Sequence, residues 1–267
     1  MFAVARQQKI KELLLKYKQM DVGTLAATLG VTEVTVRRDL EKLEHDGFAI
    51  KTHGGVILNE NFIEEGQDLL NGNVPAEMRE IGESAALLIN DRDAIFIGGG
   101  LTCRQVAANL KNKQRVTVMT NDLIVAQELT NTPGVVSVVT GGNTLSGASV
   151  LVGDLALRAL EGKYFNKVII SAAGISFSHG LTANTVEEAH LYKQLFGICG
   201  EVILVADSGK FGQISFAYLA PLTEVHRVVT NKEVDSKFKE FFFQHNIKVY
   251  TPFEVEELIA EGGLSGE

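Results

Sequence analysis

The chain has 267 residues, enough for about two domains of ordinary size, and its 45% apolar and 22% charged residues exclude wholesale disorder and fibrous repeats. No apolar run approaches the ~20 residues of a membrane helix, and the N-terminus lacks the unbroken apolar stretch of a secretory signal. Its two cysteines make neither a disulfide framework nor a zinc site on their own, so a cytoplasmic protein is expected.

The net charge of −8 is uneven. Residues 1–56 hold nine Lys/Arg and seven Asp/Glu (+2), leaving 16 and 26 for the rest (−10). A slightly basic head on an acidic body makes the head the candidate for meeting a polyanion. Within it, residues 6–18 place Ile10, Leu13, Leu14 and Tyr17 at i, i+3, i+4 and i+7, the stripe of a first helix. A second is predicted over 24–29, where Leu25 and Leu29 lie one turn apart and Gly30 stops it. Thr32 caps a third over 33–45. Two short helices around a four-residue turn with Gly are a helix-turn-helix.

On the third helix Val36, Leu40 and Leu43 share the core side, while Val34, Arg38 and Glu41 point away, flanked by Thr35 and Arg37. The first turns of such a helix enter the major groove, where Arg reads guanine and the Val34 methyls meet a thymine methyl. Solvated arginines alone would not explain an outward valine between polar neighbours. Asp39, at the core edge, is expected to orient an arginine. After Gly47, residues 48–53 and 56–58 read as a hairpin turning at Gly54-Gly55, a wing with Lys51, Thr52 and His53 near its tip. The DNA-binding candidates are Thr32, Val34, Thr35, Arg37, Arg38, Lys51, Thr52 and His53.

The order Arg6, Ile10, Leu14, then Thr32-x-x-Thr35-Val36-Arg37-Arg38-Asp39-Leu40, followed by Leu43, Gly47 and His53-Gly54-Gly55, resembles the DeoR-type winged helix-turn-helix signature. The resemblance covers roughly the first 57 residues. It implies sequence-specific binding of double-stranded operator DNA, usually as a repressor.

Residues 58–74 are polar, Asn-rich and aperiodic, and read as a linker between a DNA-binding domain (1–57) and an effector-sensing, oligomerising domain (75–267). Pro75 opens a helix to about residue 89. Strands are predicted at 94–97, 116–119, 135–139, 168–172, 202–206, 226–229 and 247–250, with helices around 102–110, 122–130, 152–161, 185–197 and 235–245 and a last one from Thr251-Pro252. Continuous apolar strands spaced by helices predict an α/β domain, doubly wound and mostly parallel. Ligands of such sheets bind beyond the C-terminal strand ends. There stand Gly98-Gly99-Gly100-Leu101-Thr102-Cys103, Thr120-Asn121-Asp122, Thr140-Gly141-Gly142-Asn143, Ala173-Gly174-Ile175-Ser176 and Asp207-Ser208-Gly209-Lys210. Any one is explained by the glycine that tight βα turns need. Five in succession, with one Lys, point to a polar or phosphorylated small ligand, held by N–H groups at a helix start. The effector candidates are Gly98, Gly99, Gly100, Leu101, Thr102, Cys103, Thr120, Asn121, Gly142, Gly174 and Lys210.

From about Met78 to Thr230 these motifs, in this order, with Gly180-Leu181-Thr182 and Phe211-Gly212, also resemble the DeoR-family sensor domain. That resemblance implies a fold similar to ribose-5-phosphate isomerase and glucosamine-6-phosphate deaminase, and a sugar phosphate or related metabolite as effector. Family members often have an acidic residue where Gly98 stands and Ser or Thr where Leu101 stands, so the usual sugar-hydroxyl contacts there are not expected.

Rival readings are weaker. An isomerase or deaminase needs a placed carboxylate base, yet Asp122, Asp207, Glu187 and Glu188 sit in no catalytic pattern, and Ser178-His179-Gly180 replaces the deaminases' Asp-Gly-His. A nicotinamide-sensing repressor would use Gly98-x-Gly100 with Asp122, but Cys103 replaces the third glycine. Gly209-Lys210 lacks the rest of a P-loop. Cys103 reads as a packing residue rather than a redox thiol, and His190 with Glu187 as surface. No catalytic residue, cofactor or metal is expected. Two half-sites call for a homo-oligomer, dimer or tetramer.

Overall fold

A computed structural model describes residues 3–17, 19–45, 49–52, 54–58, 74–145, 148–231 and 234–252. The N-terminal part runs α1 (Ala3–Tyr17), β1 (Gln19–Asp21), α2 (Val22–Leu29), α3 (Glu33–His45), β2 (Ala49–Lys51) and β3 (Gly55–Leu58), with the strands paired antiparallel in the order β1-β3-β2. Ile10 and Leu14 of α1, Leu25 and Leu29 of α2, and Val36, Leu40 and Leu43 of α3 close its core. Tyr17 leaves the predicted stripe and is half exposed, because the last turn of α1 runs past that core.

Three local readings change. Helix α2 starts at Val22, since Asp21 caps it by accepting from the Thr24 N–H at 2.8 Å. Three residues, not four, separate α2 from α3: Gly30, left-handed at φ 65°, then Val31 and Thr32. The wing's return strand starts one residue earlier than predicted. Lys51 pairs with Val56, and the Thr52 N–H donates to Gly55 O at 3.0 Å, so Gly55 lies in β3 rather than in the turn. Gly55 serves β1 instead, because a Cβ there would sit 2.5 Å from the Met20 carbonyl oxygen. Strand β1 has no sequence signal; its three residues are extended by pairing with β3.

The larger part opens with α4 (Ala76–Leu87), with Pro75 as its N-cap. Then follow β4 (Ala94–Ile97), α5 (Leu101–Ala108), β5 (Val116–Thr120), α6 (Leu123–Leu129), β6 (Val135–Val139), β7 (Asn143–Thr144), β8 (Leu151–Val152) and α7 (Asp154–Arg158). The chain continues through β9 (Phe165–Ile170), β10 (Gly174–Ser176), β11 (Gly180–Ala183), α8 (Val186–Phe196), β12 (Cys199–Val205), β13 (Ala217–Ala220), β14 (Arg227–Val229), α9 (Ser236–Gln244) and β15 (Lys248–Tyr250). Seven strands form one parallel sheet in the order β15-β14-β12-β9-β4-β5-β6. Helices cover both faces: α4, α5 and α6 over Ile95, Ile97, Val118 and Ile203, and α8 and α9 over Phe96, Val168, Ile170 and Leu204. The doubly wound prediction describes this sheet.

Strands β9 and β12 begin three residues before their predicted starts. Lys167 and Glu201 break the apolar runs, but Lys167 is neutralised by Asp93 and Glu201 by Arg227, and the two lie side by side in the ladder. The sequence analysis also missed a second sheet. Strands β10, β11 and β13 pair antiparallel beyond the C-terminal end of β9. The helix predicted from Thr251-Pro252 and most of the predicted linker lie outside the described residues.

Candidate functional site

On α3, Val34 is 70% exposed, and Arg37 and Arg38 project into solvent beside half-buried Thr35. Arg37 approaches Glu33 at 3.5 Å and in the open, a contact worth little. Thr32 caps α3 through its hydroxyl, which accepts from the Thr35 N–H at 3.4 Å, while its carbonyl takes the first helical bond from the Val36 N–H at 3.1 Å. Asp39 is buried and does orient an arginine: Arg6 of α1 donates to both carboxylate oxygens, and Gln7 donates at 3.1 Å. That bonding raises the Arg6 pKa and fixes α1 against the core side of α3. Lys51 sits two residues below the turn, 3.0 Å from Glu44 and 4.0 Å from Glu41 of α3. Thr52 is exposed at the turn, and His53 lies outside the described residues.

A cavity of about 410 Å³ opens at the C-terminal end of the parallel sheet. Gly99, Gly100, Leu101 and Thr102 form one wall, and Asp207, Gly209 and Lys210 another. Asp207 accepts from the Gly209 N–H at 2.9 Å and so shapes the turn that presents Lys210. The remaining lining was not anticipated. It includes Met78 of α4, Ser171, Asn184, Gln213, Ile214 and Ser215 from the loops around the second sheet, and Glu188 with Tyr192 of α8. The i, i+4 spacing of Glu188 and Tyr192 was the one available signal, since it sets both on one helix side.

Six candidates do not line the cavity. Gly98 is tight against Tyr192, whose hydroxyl would be 2.6 Å from any Cβ there. Cys103 is fully buried, and burial, then the Asp122 charge, push its thiol above the usual range, as suits a packing residue. Thr120 accepts from the Asp122 N–H at 3.0 Å, and Asn121 donates to Leu151 O at 3.2 Å, both inside the domain. Gly142 lets Val152 O approach, and Gly174 lets Gln213 O approach, so both serve close backbone packing.

The glycine N–H groups are also taken. Gly98 N–H donates to Ile169 O at 2.8 Å, Gly99 N–H to the Tyr192 hydroxyl at 3.0 Å, and Gly100 N–H to Asp122 at 3.4 Å. Burial holds the Tyr192 phenol well above its ordinary pKa, so it stays protonated. What faces the cavity is the first turn of α5, where the N–H groups of Leu101 and Thr102 bond to no acceptor among the described residues. Asp122 is no ribose ligand either. It is fully buried and engages Arg104 Nε at 3.0 Å, the Ser149 hydroxyl at 2.9 Å and the Ile124 N–H at 2.7 Å.

Residues 6–62 match the DeoR-like helix-turn-helix domain, and residues 74–232 match the DeoR C terminal sensor domain. The chain belongs to the DeoR family. Its relatives include the regulator YulB of Bacillus subtilis, 31% identical over 93% of this chain and 96% of that one. The lactose phosphotransferase system repressor of Streptococcus mutans is 29% identical over 88% of this chain and 94% of that one. Among solved structures, ribose 5-phosphate isomerase A from Methanocaldococcus jannaschii is similar at 13% identity and TM-score 0.36, over 50% of this chain and 53% of that one. The chain thus spans nearly the whole of the two regulators and about half of the isomerase. As a DeoR-family protein it is a DNA-binding transcriptional regulator rather than an enzyme. Among the described residues no helix is long and apolar enough to cross a membrane, and no three His, Cys, Asp or Glu gather as metal ligands.

Proposed function

We propose that this regulator represses an operon of carbohydrate metabolism as a homo-oligomer of at least two heads, and that a small phosphorylated sugar in the cavity controls it. The carrying observation is that Lys210 and the open first turn of α5 line the same cavity. A helix N-terminus and an ammonium on one cavity suit a phosphate, and Asn184, Glu188 and Ser215 suit sugar hydroxyls. About 410 Å³ is the size of a small-metabolite site. On the head, Val34, Thr35, Arg37 and Arg38 read base edges, while Thr32, Lys51, Thr52 and His53 hold the backbone. The name of the Streptococcus relative, a lactose phosphotransferase system repressor, agrees with this reading.

Isothermal titration with a panel of sugars and their phosphates tests it. Phosphorylated members bind and the plain sugars do not. A charge-assisted contact is worth ~1.5–3 kcal/mol, so Lys210→Ala weakens the phosphates ~10- to 150-fold while operator affinity stays. Unchanged affinity in Lys210→Ala refutes the phosphate clamp.

A further inference from the structure

Asn231 is buried just past the C-terminal end of β14, outside the cavity lining. Its amide joins two elements distant in sequence. The Oδ1 atom accepts from the Ser208 N–H at 2.7 Å, and Nδ2 donates to the Ser208 hydroxyl at 3.1 Å. The same Nδ2 donates to a carboxylate oxygen of Glu77 at 3.3 Å. Ser208 begins the turn that presents Gly209 and Lys210 to the cavity, while Glu77 lies in the first turn of α4. The next residue, Met78, is itself a cavity wall. Helix α4 is the first sensor element after the DNA-binding head in the chain, so its first turn is where the head's tether enters this domain.

We propose that Asn231 and Glu77 are positioning residues that make the Lys210 turn and the first turn of α4 move as one body, so that occupancy of the cavity is passed to the tether of the head. This rests on the cavity being the effector site. A ligand drawn to Lys210 loads the turn held by Ser208, and the Asn231 amide carries that load to Glu77 while Met78 feels the ligand directly. Buried, multiply bonded amides suit such a task, because each bond lost leaves another polar group unsatisfied. Glu77 is exposed on its helix, so replacing it removes the tie without opening the core.

Hydrogen exchange on the full chain, followed over residues 75–81 and 207–213 with and without ribose 5-phosphate, tests the link. In the wild type the probe slows exchange in both segments. Glu77→Ala keeps the protection over 207–213 and loses at least half of that over 75–81, and Glu77→Gln, which retains an acceptor, restores it. Full protection over 75–81 in Glu77→Ala overturns the proposal. A second arm needs no ligand. Losing one bond of the Asn231 network speeds exchange over 208–210 by ~2- to 10-fold in unliganded Glu77→Ala. Unchanged exchange there also overturns it. A probe that protects neither segment of the wild type counts against the effector reading alone, and the unliganded arm then decides the link.

Discussion

Replacing Asp122 by alanine strikes the centre of the sensor domain. Its carboxylate is fully buried and accepts from Arg104, from Ser149 and, as the cap of α6, from Ile124, with weaker contacts to Val125 and Gly100. The Arg104 side chain is only 4% exposed, so alanine would strand a buried guanidinium. Breaking such a pair from one side costs ~3–5 kcal/mol, and losing the cap adds ~1 kcal/mol. At ~2–4 °C per kcal/mol for a domain of this size, the sensor transition falls by roughly 10–20 °C. Thermal unfolding of the full chain measures this directly. The double variant Arg104→Met/Asp122→Leu recovers most of the loss, because no charge is left buried without a partner. A loss below ~2 kcal/mol for Asp122→Ala, or a double variant no better than the single, would refute the view that this pair fastens the glycine loop.

Further predictions concern the head and the thiols. Arg38→Ala costs ~1–3 kcal/mol on the cognate operator and relaxes one base pair, whereas Lys51→Ala weakens cognate and scrambled DNA alike and lowers the salt slope by ~1. Gel shifts at several salt concentrations separate the two, and wild-type affinity for Arg38→Ala would unseat α3 as the reading helix. Gly55→Ala must displace Met20 of β1 and lowers stability by ~1–3 kcal/mol; an unchanged melting curve would contradict the close β1–β3 approach. Burial raises the Cys199 thiol to about 11 and Cys103 further, so both are neutral thiols near pH 7. Iodoacetamide then leaves fully buried Cys103 unlabelled until the chain unfolds, and rapid labelling of native Cys103 would contradict its burial.

Periodicity and capping residues by themselves determined the three head helices, the side of α3 that faces the core, and the alternation of a doubly wound sheet. These are local properties: Val36, Leu40 and Leu43 share a helix side whatever surrounds them, and Thr32 caps from its own position. The tertiary structure decided the rest. Whether Gly98, Thr120 and Asn121 face a ligand or the interior depends on Tyr192 and Leu151, which approach from elsewhere in the chain. Charged residues inside β9 and β12 hid those strands' starts until their partners Asp93 and Arg227 were in place. The cavity itself is built from Met78, Glu188 and the loops around β10, β11 and β13, segments with no common sequence pattern. A side chain's spacing along its own element is set by backbone geometry, but its neighbours are set by packing between elements, and a binding site consists of neighbours.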